Sequence, residues 1–330
     1  MAKPSNPHFS FGVDGFVIAI LVAIIVSFIA PNLGAKNGLL RLDLINVWGI
    51  AAIFFASGAN LSFAALKEGV TAYKLHFFVQ ITTFVIFPII GYAAYSLSDG
   101  IFSPDIRLGF FFLCALPSTI SSSVALTAIS HGNVSAAVFN ATLSNIIGMF
   151  ATPLLVSMVL SATDLRAMPI FDSIVSILKT LLLPFILGQL SRPLLVKFMA
   201  QNAGAIKFLD RAVIIAIVFA AFCNANIARV WSKASGAEIL AIIIFVALLL
   251  TLATFAVGFA VKKFEFTLSD QICALFCASQ KSLASGAPIA ALLFAGNPAL
   301  SMIILPILVY HLLQLLIGSI LAKNYASKIL

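Results

Sequence analysis

Apolar runs of about 20 residues recur along the whole chain, and each is long enough to cross a lipid bilayer as a helix. These runs leave little polar surface. Of the 330 residues, 62% are hydrophobic and 9% are charged, whereas a soluble domain carries about 25% charged residues. The composition excludes an ordinary soluble enzyme and a DNA-binding module. The net charge of +8 does not indicate a nucleic-acid partner, because the 19 Lys and Arg residues are scattered between the apolar runs.

Glycine, proline and charge clusters divide these runs into ten predicted transmembrane helices. The predicted spans are residues 15–31, 45–65, 74–97, 106–130, 134–161, 173–196, 208–230, 238–261, 268–294 and 299–321. The predicted fold is therefore an all-α integral membrane protein with a single membrane domain, surrounded by lipid. Residues 1–14 and 323–330 are expected to form tails outside the membrane.

The distribution of basic residues predicts the orientation of the chain. On this map, the side that holds both termini carries eleven Lys and Arg residues, and the opposite side carries six. Because cytoplasmic loops are enriched in basic residues, both termini are expected in the cytoplasm. The expected location is the cell membrane, which is the inner membrane if the source is Gram-negative.

The fourth and ninth spans contain similar sequences, 163 residues apart. Residues 114–119 align with residues 277–282, Ser122 with Ser285 and, after a slip of one residue, Gly132-Asn133 with Gly296-Asn297. Each segment lies in the fourth span of a set of five, and five is an odd number. The second set therefore starts on the opposite side, which predicts two inverted repeats at 15–162 and 163–322. Inverted repeats with a site at their interface are typical of secondary transporters.

The same two spans are interrupted in their middle. Residues 117–123 are rich in serine and begin with a proline, and residues 279–288 combine serine, glycine and proline. Unwound backbone at membrane depth occurs where it is buried in protein or lines a watery cavity. The alternative for any single serine is helix packing, since small polar residues join membrane helices. Two matched clusters favour a binding site.

Lysine is the charged residue that occurs inside the apolar runs. All 11 carboxylates lie in loops or at span ends, and of the basic residues only Lys179 and Lys281 fall within a run. A charge at membrane depth is costly and indicates a function by default. Lys179 lies near a span end, where its side chain is expected to reach the interface. Lys281 lies in the interrupted ninth span.

These segments resemble the bile acid:sodium symporter superfamily, in particular its bacterial symporter-like branch. The resemblance is carried by residues 115–123 and 278–286 and is supported by Gln80 and residues 132–134. It implies that helices four and nine are broken and cross at mid-membrane. It also implies that spans 1, 2, 6 and 7 form a panel, that the other six form a core, and that substrate enters the crevice between them.

The resemblance also implies sodium ligands. Ser122 and Ser123 match one sodium site, and Gln80 and Gln280 match a second. The acidic ligand of the family is replaced here by Phe276. Two further hydroxyl ligands are replaced by alanines at 137 and 141, for which residues 140, 142, 144 and 145 could substitute after a shift in register. At about 5 Å and an effective dielectric constant of 20, an ammonium on the residue after Gln280 would repel sodium by roughly 3 kcal/mol.

Lys281 therefore suggests a different arrangement. Its ammonium would take the place of sodium, hold the crossing together and pair with an anionic substrate, and its loss and gain of a proton would couple transport to protons. The alternative is a structural tie to Ser118, Ser122 and backbone carbonyls. The full set of candidate ion- and substrate-binding residues is Gln80, Ser118, Thr119, Ser122, Ser123, Asn140, Gln280, Lys281, Ser282 and Ser285.

The predicted function is secondary active transport of a small organic anion by alternating access, coupled to sodium or to protons. Sodium is the one candidate bound ion, and no other cofactor is expected. One alternative is an efflux carrier, for example of a metalloid oxyanion, because Cys114 and Cys277 occupy equivalent repeat positions and thiols bind trivalent metalloids. A second alternative is an intramembrane hydrolase that uses Ser118 with Lys281 as its base.

Overall fold

The computed structural model describes residues 15–61, 72–162, 170–233 and 235–329, and every regular element in these ranges is helical. These include a π-helical segment at Thr82–Ile86 and a 3₁₀ turn at Val230–Lys233. In chain order the helices are α1 (Gly15–Ile29), α2 (Pro31–Gly34), α3 (Leu42–Asn60), α4 (Tyr73–Ile81), α5 (Phe87–Leu97), α6 (Pro104–Ala115), α7 (Ser121–Ile129), α8 (Val134–Ala162), α9 (Ile170–Gln201), α10 (Ala203–Ile227), α11 (Gly236–Lys263), α12 (Leu268–Ser279), α13 (Leu283–Leu293) and α14 (Leu300–Ile329).

Six helices in the described ranges are long and apolar enough to cross a membrane. They are Leu42–Asn60, Tyr73–Leu97, Val134–Leu160, Lys179–Gln201, Gly236–Lys263 and Leu300–Ser327. The other predicted spans correspond to the shorter α1, to α10, and to the interrupted pairs α6–α7 and α12–α13. The length and composition of these helices fit an integral membrane protein.

The helix boundaries differ from the sequence prediction mainly at the last span. The apolar pattern predicts an end at residue 321, but α14 continues to Ile329, so most of the predicted tail at 323–330 is helical. The predicted tail at 1–14 lies outside the described residues. Many large apolar side chains of the long helices are exposed, as for Leu194 at 87% and Phe255 at 73%. Helices suit a lipid environment because they pair their own backbone polar groups.

Helices α3 and α9 cross at two glycines. A Cβ atom on Gly58 would lie 2.0 Å from the Phe185 carbonyl oxygen, and one on Gly188 would lie 2.0 Å from the Phe55 carbonyl oxygen. Small residues let membrane helices approach closely. On the other side of α3, helix α10 packs against both α3 and α1. These four helices therefore form one packed group.

We expect Gly188→Ala to lower the stability of the protein. The two helix backbones would have to separate to admit the new Cβ, at a cost of about 2 kcal/mol or more. Gly258→Ala in α11 is the matched control, because its Cβ would lie 3.7 Å from the nearest atom and alanine favours a helix. Thermal unfolding in detergent measures both variants. An unchanged midpoint for Gly188→Ala would contradict the close crossing.

Candidate functional site

The two interrupted helices meet at their breaks. Helix α6 ends at Ala115 and α7 begins at Ser121, while α12 ends at Ser279 and α13 begins at Leu283. The backbone N–H of Ser282 donates to the carbonyl of Pro117 at 2.9 Å. The segments that the repeat pairs in the sequence are therefore in direct contact in the structure.

Hydroxyl groups satisfy the first amides of both second half-helices. Ser282 is the N-cap of α13, and its Oγ accepts the N–H of Ser285 at 3.1 Å. In the first break, Thr119 Oγ1 accepts the N–H of Ser123 at 3.2 Å. Such caps replace the intrahelical partners that a helix start lacks. The serine-rich composition of both breaks thus has a local structural role.

A hydroxyl–amide cluster, Thr119, Ser122, Ser123 and Gln280, forms where the breaks meet. Ser122 Oγ donates to Gln280 Oε1 at 2.6 Å, and Thr119 Oγ1 donates to the same oxygen at 3.2 Å. Thr119 Oγ1 also lies 2.8 Å from Ser123 Oγ, which donates to the carbonyl of Phe276 at 3.3 Å. Gln280 and Ser123 are buried, and Ser122 is half-buried. The cluster contains several oxygens and no formal charge.

Gln80 bonds to Asn140 and not to the hydroxyl–amide cluster. Its Nε2 donates to the carbonyl of Asn140 at 3.1 Å and lies 3.3 Å from Asn140 Oδ1. Its Oε1 is buried and has no hydrogen-bond partner among the residues that the structure describes. Among the described residues, no hydrogen bond joins Gln80 to Gln280. The structure therefore pairs Asn140, predicted as a substitute ligand, with Gln80, and it places Gln280 with the serines.

The other three predicted serines, Ser118, Ser282 and Ser285, belong to a third group. Ser285 Oγ donates to Asn145 Oδ1 and lies 3.2 Å from Ser282 Oγ. Asn145 Nδ2 donates to the carbonyl of Ser118 at 3.0 Å, and Ser144 Oγ accepts the N–H of Ser118 at 2.9 Å. The sequence offered residues 144 and 145 only through a shift in register. Their position opposite the first break follows from the packing of α8.

Phe276 provides no side-chain ligand. Its ring is 1% exposed and packs with Leu126, Ile272 and Ala322, so its contribution to the cluster is its carbonyl oxygen. The two alanines at positions 137 and 141 are also fully buried. At the three positions where this chain departs from the family pattern, buried apolar side chains therefore take the place of polar ligands.

Lys281 is fully buried and is held by backbone carbonyls. Its Nζ donates to the carbonyls of Thr83, Cys114 and Leu116 at 3.2, 3.0 and 2.9 Å. It also lies 4.1 Å from the centre of the Phe87 ring. These hydrogen bonds go to carbonyls and not to the hydroxyls of Ser118 and Ser122, which the structural alternative also predicts as partners. All three ammonium donors are used, so none is left for a substrate in this conformation. Lys179, by contrast, is exposed.

Two residues of α14 hold the second break, and sequence reasoning missed both. Gln314 accepts the N–H of Lys281 through Oε1 at 2.8 Å and donates to its carbonyl through Nε2 at 2.9 Å. Tyr310 Oη donates to the carbonyl of Ser279 at 2.6 Å. One sequence signal could have indicated Gln314: it is a glutamine inside an apolar span, and a polar group at membrane depth needs a partner within the protein.

Reciprocal hydrogen bonds tie the two broken helices together away from the breaks. Asn133, which follows the first broken helix, donates to Asp270 in the first turn of the second at 2.8 Å. Asn297, which follows the second, donates to Asp105 in the first turn of the first at 3.4 Å. The aligned Gly-Asn pairs of the sequence repeat thus make equivalent contacts.

Among the described residues, no hydrogen bond joins Ser118 to Lys281 or Cys114 to Cys277, the pairs that the two alternative functions require. Ser118 Oγ lies 3.4 Å from Ser123 Oγ, whereas the Lys281 ammonium binds carbonyls. Cys277 Sγ lies 4.0 Å from Cys273 Sγ, and Cys114 packs against Gly91. The metalloid alternative stays a prediction, which arsenite uptake by a Cys114→Ser, Cys277→Ser variant would test.

Comparison with known proteins identifies the family. The SBF-like CPA transporter family matches residues 14–327. The "Uncharacterized protein PA2026" of Pseudomonas aeruginosa is 34% identical, over 96% of this chain and 93% of that protein. Sodium/bile acid cotransporter 7-B of Xenopus laevis is 32% identical, over 95% and 92%. Sodium/bile acid cotransporter 7 of Rattus norvegicus is 30% identical, over 95% and 93%.

The chain therefore belongs to the SBF-like CPA transporter family, which confirms the resemblance to the bile acid:sodium symporter superfamily. It is a membrane transporter of the symporter type and not an enzyme. The Ser118 and Lys281 hydrolase is accordingly set aside.

We expect Gln314→Leu to destabilise the protein strongly. It would leave the buried N–H and carbonyl of Lys281 without partners, and each unsatisfied group costs about 1–3 kcal/mol. Thermal unfolding in detergent measures the loss. Ser327→Ala in the same helix is the control, because Ser327 is exposed and bonds only locally to Asn324. Equal midpoints for the two variants would show that the Gln314 contacts do not matter.

Proposed function

We propose that this chain is a secondary active transporter that moves a small organic anion together with sodium. The observation that carries the proposal is the hydroxyl–amide cluster at the point where two broken helices meet. Unwound backbone and polar side chains at such a point coordinate ions in secondary transporters. The names of the cotransporter relatives, which mention sodium and bile acid, agree with this chemistry.

The proposed architecture is ten membrane helices in two inverted five-helix repeats, residues 15–162 and 163–322. Pairs α4–α5, α6–α7 and α12–α13 each count as one span. The reciprocal bonds of Asn133 with Asp270 and of Asn297 with Asp105 support the repeat. Helices α1, α3, α9 and α10 would form the panel and the others the core. From the charge count, both termini would lie in the cytoplasm.

Sodium is the proposed coupling ion, and its ligands would come from the cluster. The hydroxyls of Ser122 and Ser123, the Gln280 Oε1 and the Phe276 carbonyl are neutral oxygen donors within one network. The buried Oε1 of Gln80 has no partner in the described part of the chain, and a cation would satisfy it. Proton transfer by Lys281 is less favoured, because a neutral amine would leave one of its three carbonyls without a donor.

A small organic anion is the proposed substrate class. Two half-helices, α7 and α13, start at the breaks, and helix N-termini favour negative charge. The crevice between panel and core would hold the apolar part of the substrate. Bound sodium at the cluster would add the positive charge that the neutral side chains lack. Because sodium would supply this charge, binding of the anion would depend on bound sodium.

Transport currents on solid-supported membranes test the proposal. A panel of small organic anions is applied in sodium and in choline buffers, at several pH values. We expect currents that need sodium, and Ser122→Ala is expected to weaken the apparent sodium affinity by about tenfold, the equivalent of 1.4 kcal/mol. Ser327→Ala is the control. Currents that follow pH and ignore sodium would overturn sodium coupling, and no current with any anion would overturn the substrate class.

Gly318 offers a second test of the cluster. A Cβ at this position of α14 would lie 3.0 Å from Gln280 Nε2 and 2.7 Å from Leu126 Cδ1. Gly318→Ala is therefore expected to displace the Gln280 carboxamide and to weaken the apparent sodium affinity. Gly258→Ala is the control, with room for its Cβ. If both variants keep the sodium affinity of the original protein, Gln280 is not a sodium ligand.

A further inference from the structure

The carbonyl of Thr83 has no donor within its own helix. In the π-helical segment the N–H of Phe87 donates to the carbonyl of Thr82, five residues earlier. The same spacing would pair Thr83 with residue 88, which is Pro88 and has no N–H. Proline and the π-helical turn together therefore leave one buried carbonyl unpaired at this level of the core.

Two more carbonyls are left unpaired at the end of α6. Cys114 and Leu116 lie at its C-terminus, where the last carbonyls of a helix lack intrahelical donors. The N–H of Ser118, the usual donor for Cys114, is bound instead to Ser144 Oγ. The break in the first repeat therefore leaves two carbonyl acceptors without helical donors, in addition to the carbonyl of Thr83.

One ammonium satisfies all three acceptors. Lys281 Nζ lies 2.9–3.2 Å from the three carbonyl oxygens and 4.1 Å from the centre of the Phe87 ring. Its side chain is fully buried, and its polar contacts within the described residues are to these carbonyls and this ring, with no carboxylate among them. Carbonyl oxygens and an aromatic face bind monovalent cations without any carboxylate.

We infer that the carbonyls of Thr83, Cys114 and Leu116, with the Phe87 ring, form a cation-binding cage, and that the Lys281 ammonium is its permanent occupant. The occupied cage joins α4–α5 and α6 to the second break. Lys281 is then a positioning residue for its neighbour Gln280, a role that rests on the proposed function. The cage itself does not depend on that proposal.

A cage of this kind should accept a free ammonium ion once the side chain is shortened. In Lys281→Ala the carbonyls lose their donors and the midpoint of thermal unfolding falls. Ethylammonium carries the same three N–H donors. It should reverse most of the decrease in the unfolding midpoint, and this effect should saturate as its concentration rises. Tetramethylammonium has the charge but no N–H, and it should restore none. Lys281→Met should be destabilised and resist rescue, because its side chain fills the space.

The experiment compares the original protein, Lys281→Ala and Lys281→Met in detergent, with ethylammonium or tetramethylammonium chloride at equal ionic strength. Selective rescue of Lys281→Ala supports the cage. Equal rescue by both salts, no rescue, or an unchanged midpoint in Lys281→Ala overturns it. The readout needs neither sodium nor substrate, so failure of sodium coupling in the transport assay would leave this result standing.

A second pair of variants applies if Lys281→Ala does not fold. Pro88→Ala restores an N–H that can serve the Thr83 carbonyl. The double variant Pro88→Ala, Lys281→Met should lose less stability than the sum of the two single variants. Additive losses would overturn the role of Lys281 as the donor for Thr83.

Discussion

Inside a bilayer, every backbone N–H and carbonyl needs a partner within the protein, and two broken helices concentrate that requirement at one point. The breaks at residues 116–120 and 280–282 release groups that a continuous helix would pair. Ser144 and Asn145 satisfy the first break, Gln314 satisfies the second, and Lys281 serves both the first break and the π-helical segment. The rest of the core packs around these bonds.

The same requirement distinguishes side chains that are fixed by backbone bonds from side chains that could exchange their bonds for a bound ion. Lys281, Gln314 and Tyr310 bond directly to the backbone and are fully or almost fully buried. The hydroxyl–amide cluster bonds mainly among its own side chains, and Ser122 is half-buried. Side chains that bond to one another can exchange those contacts for an ion, whereas backbone carbonyls that lose a donor inside the membrane have few other partners. The proposed sodium site and the proposed lysine cage differ in this way.

Much of this arrangement was readable from the sequence. Pro117 and the flanking serines indicate the first break. The similar segment 163 residues later indicates the second break, around Lys281. The Gly-Asn pairs of the same repeat align in the sequence, and their asparagines bond to Asp270 and Asp105 in the structure. The family resemblance, which the comparisons confirm, rested on these same short segments. Gln80 shows what the sequence left open: the resemblance assigns it to a sodium site with Gln280, which stays a prediction, and its bond to Asn140 is visible only in the structure.

Three features follow from the sequence alone: the chain crosses a membrane as helices, two of those helices break at identifiable positions, and a lysine lies inside one break. Apolar length, proline and serine content, and charge position are local properties, so a linear pattern records them. The bonds of the Lys281 ammonium to Thr83, Cys114 and Leu116, and the bond of Gln280 to Ser122, are visible only in the folded chain. Those partners lie 158–198 residues apart in the chain. Their meeting depends on how the helices pack.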